Sequence, residues 1–364
     1  MKKILIIIPK FCLAGAETMC ENLAYGINKK KYNVVLVSLY NYKSAITERL
    51  EENGYKIIYL NKKRGFDFSM YNKLKKVFNE ERPDVIHTHL YVLEYVALAL
   101  KLSKLKNVKI VHTIHNIANR DGKKFIQILQ KILFKKKNII PVAISEEIKK
   151  SVIEFYNLDE RRIKMVYNGI DLSRCIVKKD YSQFNSIIHI GRLEKVKNHK
   201  ELIDVFKKFI ELTNNQNTIL YLIGEGVLFQ DIKEYIEKVN LEKRVILCGK
   251  RAECYKELNN ADLFVLPSKY EGMPMTIIEA MGTGLPIIAS NVGGIPNMIQ
   301  DGKNGLIINE KNDFLEKLIR VSEDEILREH LGKEALKVSE KFSNIEMAYK
   351  YEKIYFEGDN NESF

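Results

Sequence analysis

Long apolar runs are missing from this 364-residue chain: nowhere do 18 or more uninterrupted apolar residues occur, the length a membrane-spanning helix needs. Met1-Lys2-Lys3 leads straight into the strand-like Ile4-Leu5-Ile6-Ile7-Ile8, which is too short for a signal-peptide core and is followed by no small-residue cleavage site. The protein is therefore expected in the cytoplasm. Cysteine is scarce as well. Cys12, Cys20, Cys175, Cys248 and Cys254 show no C-x-x-C spacing, which excludes a disulfide framework and a cysteine zinc site and leaves reduced packing residues. There are no repeats and no low-complexity segments, and only the tail Gly358–Phe364 reads as disordered. The dinucleotide-binding pattern G-x-G-x-x-G is also absent.

What is present is an ordinary globular composition, 46% hydrophobic and 29% charged, in a chain longer than one core usually supports, so two domains are expected. The net charge of +12 is uneven. Residues 1–180 hold 35 Lys+Arg against 18 Asp+Glu, leaving 24 against 29 for the rest of the chain's 59 and 47. A basic half points to nucleic acid, an anionic membrane surface or an anionic substrate, unless it is only a lysine-rich composition.

Short β-branched runs alternate with helical stretches and predict buried parallel strands at Lys3–Pro9, Asn33–Leu39, Lys56–Leu60, Asp84–Thr88, Lys109–Thr113, Ile139–Ser145 and Lys164–Tyr167. The pattern restarts with Ser186–Ile190, Thr218–Ile223, Val245–Leu247, Leu263–Pro267, Leu285–Ala289 and Gly305–Ile308. Two Rossmann-like α/β domains in series follow, with residues 1–175 and 184–343 joined within Asp171–Asn185. The helix 344–357 is long enough to cross back to the first domain. Ligands of such sheets bind at the carboxyl ends of the strands, so two domains facing across a cleft would share one site.

The stretch Glu271-Gly272-Met273-Pro274-Met275-Thr276-Ile277-Ile278-Glu279 carries the most chemistry. Pro274 suits a first helical turn, and Gly282 and Gly284 are expected to stop the helix. From Pro274 to Glu279 such a helix rises only about 7–8 Å, so one small molecule can touch both acids. The helix N-terminus between them favours a phosphate, and each carboxylate accepts two hydroxyl donors. A diol, a diphosphate and a polyol occur in that order in a nucleotide sugar. The alternative is a pair of surface acids stabilising a helix start.

Three other groups stand at predicted strand ends. The turn Leu13-Ala14-Gly15-Ala16-Glu17 opens a helix toward a ligand or is merely a tight turn. Arg192 and Lys197, in Gly191-Arg192-Leu193-Glu194-Lys195-Val196-Lys197-Asn198, suit a diphosphate unless they are solvated surface charges. His87-Thr88-His89 and His112-Thr113-Ile114-His115 lack companions at metal-ligand spacing, which favours hydrogen bonds to a polyol over a metal.

Taken in order, Gly15-Ala16-Glu17, His112-Thr113, Ser145-Glu146, Val166-Tyr167-Asn168-Gly169-Ile170-Asp171, Gly191-Arg192 with Lys197-Asn198, Gly224-Glu225-Gly226, Ala261-Asp262-Leu263, Pro267-Ser268, Glu271 with Glu279-Ala280, and Asn291-Val292-Gly293-Gly294 cover nearly the whole chain. This series resembles the retaining glycosyltransferases of the GT-B fold known as family 4. The resemblance implies that Glu279 holds the ribose diol of a nucleotide-sugar donor, a UDP-sugar by preference, and Glu271 the donor sugar. It assigns the diphosphate to the N–H groups around Met275 and Thr276, with the Gly15 loop closing over it, and counts Gly272, Met273 and Pro274 among the donor-binding residues. Arg192 and Lys197 would neutralise the leaving diphosphate, His112 would support the donor sugar, and the base would lie near Lys250 and Arg251. Configuration would be retained by front-face attack, with the leaving phosphate taking the acceptor's proton. Ala14-Gly15-Ala16-Glu17 departs from the family's usual double glycine. D-x-D occurs nowhere, so neither a metal nor another cofactor is expected.

The implied acceptor is a saccharide or lipid-linked saccharide of bacterial cell-surface polysaccharide. The basic amphipathic stretch from Lys123 to Lys137 either lies on an anionic bilayer or packs on the sheet with its lysines solvated. The competing functions are a GT-B-shaped epimerase or phosphorylase, a retaining glycosidase with two close carboxylates, a nucleotide-sugar sensor, and a nucleic-acid protein, which lacks aromatic stacking motifs. No nucleic-acid partner is expected.

Overall fold

Buried runs of β-branched residues set the architecture. The computed structural model describes residues 1–356 apart from 106–107, 121–123, 214, 216 and 311. Lys123, at the head of the amphipathic stretch, residue 357, and the tail Gly358–Phe364, expected to be disordered, lie outside the described residues. The chain divides into two compact units, Met1–Gly169 with the chain from Asn344 onward, and Ile170–Ser343.

The first unit is built on β1 (Lys2–Ile8), β2 (Tyr32–Ser38), β3 (Lys56–Tyr59), β4 (Val85–His89), β5 (Lys109–Ile114), β6 (Ile139–Ala143) and β7 (Lys164–Met165). They pair in parallel in the order β3-β2-β1-β4-β5-β6-β7. Ile4 lies opposite both Val34 and Val85, and Ile4 to Ile8 are all fully buried, as strands covered by helices on both faces require. The helix Asn344–Phe356 belongs to this unit for physical reasons. It crosses the helix Gly15–Gly26 at Gly26, where an added Cβ would come 2.2 Å from the Asn344 carbonyl oxygen, and Phe356 stacks on Tyr32 at 4.8 Å.

The second unit contains β8 (Ser186–Ile190), β9 (Ile219–Ile223), β10 (Val245–Gly249), β11 (Leu263–Leu266), β12 (Ile287–Ser290) and β13 (Leu306–Ile308), in the order β10-β9-β8-β11-β12-β13. Its core gathers Phe206 and Phe209 from the helix His199–Leu212, Leu220, Leu222, Leu263 and Val265 from the strands, and Phe314 and Leu318 from the helix Asp313–Glu323. Asp262 anchors the start of β8 by accepting from the Asn185 and Ser186 amides and the Ser186 hydroxyl, and it also pairs with Lys178 at 3.0 Å. The Ala261-Asp262-Leu263 motif is thus architectural.

The unit boundary, between Gly169 and Ile170, falls just before the link expected within Asp171–Asn185. The amide of Ile170 donates to the Phe342 carbonyl, and Leu172 and Cys175 press on Gly282, where a Cβ would stand 2.9 and 2.7 Å from their side chains. Residues 170–178 are therefore packed parts of the second unit.

Candidate active site

The second sheet changes direction between β8 and β11, and at such a switch point the loops leaving the strands open a crevice. Backbone contacts fix those loops here. The Gly191 amide donates to Ile223 O, the Leu193 amide to Glu225 O and the Gly224 amide to Gly249 O, which ties the carboxyl ends of β8, β9 and β10 together. Gly224 has a positive φ of 148°, and a Cβ on it would lie 2.0 Å from the Gly191 oxygen, so the Gly224-Glu225-Gly226 turn carries no side chain where the Gly191–Leu193 loop passes.

Past Leu193, a 3-10 turn over Lys195–Lys197 ends at Asn198, whose left-handed backbone starts the helix His199–Leu212. The Lys269 amide donates to Val196 O, which brings this turn against the loop after β11. Lys197 Nζ consequently meets Glu271 Oε1 at 2.6 Å with both side chains largely buried. Arg192 is mostly exposed and pairs with Glu194 at 2.8 Å. The loop Gly272-Met273-Pro274 then enters the helix Met275–Thr283. Pro274 caps this helix in an extended conformation (φ −72°, ψ 117°) instead of occupying its first turn, and there too its lack of an N–H costs the helix no hydrogen bond. The helix also continues through Gly282 and ends at Gly284, which takes the left-handed φ of 73°. The Ile277 amide reaches Pro274 O, while those of Met275 and Thr276 have no partner within their own helix by geometry.

Glu279, on the second turn, is half-buried and lies within electrostatic reach of Arg174, Cys175, Cys254 and Tyr255. Burial pushes its carboxyl up to about 7, opposed by the Arg174 guanidinium and reinforced by Glu253. Burial likewise lifts the thiols of Cys175 and Cys254 to about 12, with Glu279 adding to both shifts. Arg174 is held by an ion pair with Glu253 and lies 5.2 Å from the centre of the Tyr255 ring. These neighbours were not legible in the sequence. Arg174 stands about one hundred residues before Glu279, and its only local signal is its place just after Asn168-Gly169-Ile170-Asp171. Arg251 lies on the loop after β10, 3.7 Å from Glu257 and half exposed.

In the first unit, Gly15 is exposed at the start of the helix Gly15–Gly26, whose N-cap Ala14 is extended and supplies no side-chain cap. His112 on β5 is fully buried, with Nδ1 2.9 Å from Thr88 Oγ1 and no partner for Nε2. Burial and His115 hold it down at about 3, so it is neutral and acts only through hydrogen bonds. His89 and His115 pair at 3.1 Å. His87 differs from the expectation of a polyol ligand. Its Nδ1 lies 2.6 Å from Tyr355 OH and its Nε2 2.7 Å from Thr113 Oγ1, which in turn meets Tyr351 OH at 2.7 Å, so this ring is consumed by the C-terminal helix. Among the described residues, no three or more His, Cys, Asp or Glu side chains form a group able to hold a metal ion.

Residues 13–174 match the family described as Glycosyltransferase Family 4, and residues 177–338 the family described as Glycosyl transferases group 1. The chain is 32% identical over 278 residues to UDP-Gal:alpha-D-GlcNAc-diphosphoundecaprenol alpha-1,3-galactosyltransferase of Escherichia coli, covering 71% of this chain and 70% of that protein. It is 26% identical to N-acetyl-alpha-D-glucosaminyl L-malate synthase of Bacillus anthracis, over 80% of this chain and 79% of the other. Among solved structures, HepE of Anabaena in complex with UDP and glucose superposes with a TM-score of 0.83 at 18% identity, over 98% of this chain and 100% of HepE.

Proposed function

The chain belongs to the family 4 glycosyltransferases and has the GT-B fold, and from that premise we propose that it moves a sugar, with retention, from a UDP-sugar to a saccharide or lipid-linked saccharide acceptor of bacterial cell-surface polysaccharide. The observation that carries this reading is the Lys197–Glu271 pair, 2.6 Å apart, beside the N-terminus of the helix that carries the half-buried Glu279. The similarity to a galactosyltransferase acting on a diphosphoundecaprenol-linked sugar supports the acceptor class.

In this proposal Glu279, once ionised, accepts the ribose hydroxyls, and the amides of Met275 and Thr276 meet the diphosphate at the positive end of their helix. The Lys197 ammonium has three N–H donors, so it can keep Glu271 and still donate to a phosphate oxygen. As the bond from the anomeric carbon to the diphosphate breaks, Lys197 and Arg192 stabilise the charge growing on the leaving oxygen. The acceptor hydroxyl attacks from the same face, a new glycosidic bond forms, and its proton passes to the departing diphosphate. Gly272, Met273 and Pro274 shape the donor loop, Arg251 lies toward the base, and Gly15 and His112 enter through the family resemblance. With the positive charge supplied by side chains, no divalent ion is required.

Thermal shift against UDP, GDP, ADP and their sugar conjugates tests the donor, since a ligand at about 100 times its dissociation constant adds roughly 2.7 kcal/mol. Selective stabilisation by UDP compounds, followed by EDTA-resistant transfer to a lipid-linked sugar diphosphate, is the expected result. Silence from every nucleotide would overturn the reading, and turnover without nucleotide would favour a glycosidase or phosphorylase. Transfer to a small hydroxy acid alone would place the enzyme with its malate-using relative.

The membrane belongs to the same proposal. Among the described residues no helix is long and apolar enough to cross a bilayer. The helix Lys124–Leu133 supports peripheral docking because it is inside out: Gln130 is buried, accepting from Tyr156 OH at 2.6 Å, and Gln127 bonds Ala118 O, while Ile128 and Ile132 are 60% and 55% exposed beside the exposed Lys131. Flotation with anionic liposomes at low salt tests it.

A further inference from the structure

The segment Asn61-Lys62-Lys63-Arg64-Gly65-Phe66-Asp67-Phe68 joins β3 to the helix Ser69–Glu81 and leaves Phe66 60% and Phe68 77% exposed. Burying two such rings would be favourable, yet the loop holds them outward. Its two buried charged residues act as staples. Asp67 accepts from the Lys63 amide at 2.9 Å and from the Ser69 amide and hydroxyl at 3.0 and 2.7 Å, and its own amide donates to Tyr95 OH. Lys62 donates to Tyr40 OH, Lys63 O and Gly65 O. Between these anchors the rings of Phe66 and Phe68 meet edge to face at 4.8 Å, and Phe66 stacks on Tyr95 at 5.3 Å.

The surface continues from there. Tyr95, Leu98 and Leu102 share one stripe of the helix Leu93–Leu102 by their spacing, and Leu98 and Leu102 are exposed. The helix Lys124–Leu133 with its outward Ile128 and Ile132 packs beside it. Exposed Lys63, Arg64, Lys101 and Lys131 accompany these apolar groups, and Asp67, the loop's one acid, is turned inward. Apolar aromatics among cations fit the headgroup and acyl boundary of an anionic bilayer, where the rings are covered and the charges meet lipid phosphates.

We propose that Phe66 and Phe68 form a preorganised aromatic hook that inserts into an anionic membrane surface, with Lys63 and Arg64 on the lipid headgroups. This rests on the peripheral docking proposed above and assigns the contact to a particular loop. The chain has no tryptophan, so Phe68→Trp introduces a single indole reporter. The full-length protein is mixed with phosphatidylglycerol-containing vesicles carrying brominated acyl chains. Quenching of that indole is expected, together with at least a tenfold loss of vesicle partitioning in Phe68→Ser and in Phe66→Ser/Phe68→Ser, and about a fivefold loss for each of Lys63→Ser and Arg64→Ser. Unchanged thermal unfolding of Phe68→Ser shows that the fold persists. If the wild type floats with the vesicles while the indole is unquenched and the serine variants float equally, the hook is overturned and membrane docking stands. If the wild type does not float at low salt, both fall.

Discussion

The two sheets share one strand order around their switch points, β3-β2-β1-β4-β5-β6 and β10-β9-β8-β11-β12-β13, but they finish their central strands with different chemistry. At the ends of β4 and β5 stand His87, His89, His112 and His115, all kept neutral by burial, with His87 tied to Tyr355 and Thr113. Beyond β8 and β11 stand Arg192 paired with Glu194, Lys197 paired with Glu271, and Glu279, whose carboxyl burial pushes up. The same backbone plan carries two kinds of side-chain chemistry: buried hydrogen bonds among histidines at one place, ion pairs at the other. Chemistry is carried by the side chains placed on the fold and not by the fold.

The contrast is sharpest at Lys197. Replacing it with Ala should lower turnover by about 10²–10³ while leaving the fold intact, because an interaction aimed at charge developing on the leaving group is lost. Steady-state rates for this variant beside His112→Ala compare the two ends directly; equal losses would break the distinction. Glu279→Ala should weaken UDP binding by about 10–100-fold by calorimetry, the scale of lost hydrogen bonds to a charged group, whereas Glu271→Ala should act mainly on turnover.

Stability should respond in the opposite place. His87→Ala leaves Tyr355 OH and Thr113 Oγ1 without their buried partner and should cost about 2–4 kcal/mol in urea unfolding, with UDP affinity unchanged. A weakened UDP affinity in this variant would link the network to the donor site.

Protonation of Glu279 gives a smaller, signed effect. Its carboxyl is raised from 4.5 to about 7 in the free protein. The folded state therefore binds the proton more tightly than the unfolded chain, and the group's favourable contribution to stability is lost as pH rises from 4.5 through about 7. UDP affinity should move the other way, rising across pH 6 to 8 as the carboxylate forms, and Glu279→Gln should flatten both profiles. The smallest change is expected from Arg251→Ala, about two- to threefold in UDP affinity, as for a solvent-screened charge.

Much of this was legible in advance. All thirteen strands of the two sheets lie within or beside the runs that announced them; the central strands are covered on both faces and so must be apolar along their length, while the edge strands β3, β7 and β10 are only partly buried. Lys197 and Glu271 were recognisable by their motifs, though not their contact across 74 positions. Arg174 and Tyr255 around Glu279 were not visible, since neither has a local pattern that marks it as a neighbour of that acid. The helix Lys124–Leu133 read as amphipathic, but that Gln127 and Gln130 turn inward while Ile128 and Ile132 face outward goes with Tyr156 offering Gln130 a buried partner.

The sequence by itself determined the doubled α/β plan, the family and the chemical types at the strand ends, because these rest on short-range periodicity and on motifs only a few residues long. The tertiary structure decided which of those groups are consumed by buried hydrogen bonds, as His87 is, and which stand in an ion pair beyond a strand end, as Lys197 does. His87 and Tyr355 are 268 residues apart. Burial and partner choice depend on what distant segments bring to the same place, and the same histidine is a ligand or a structural post according to whether a tyrosine arrives.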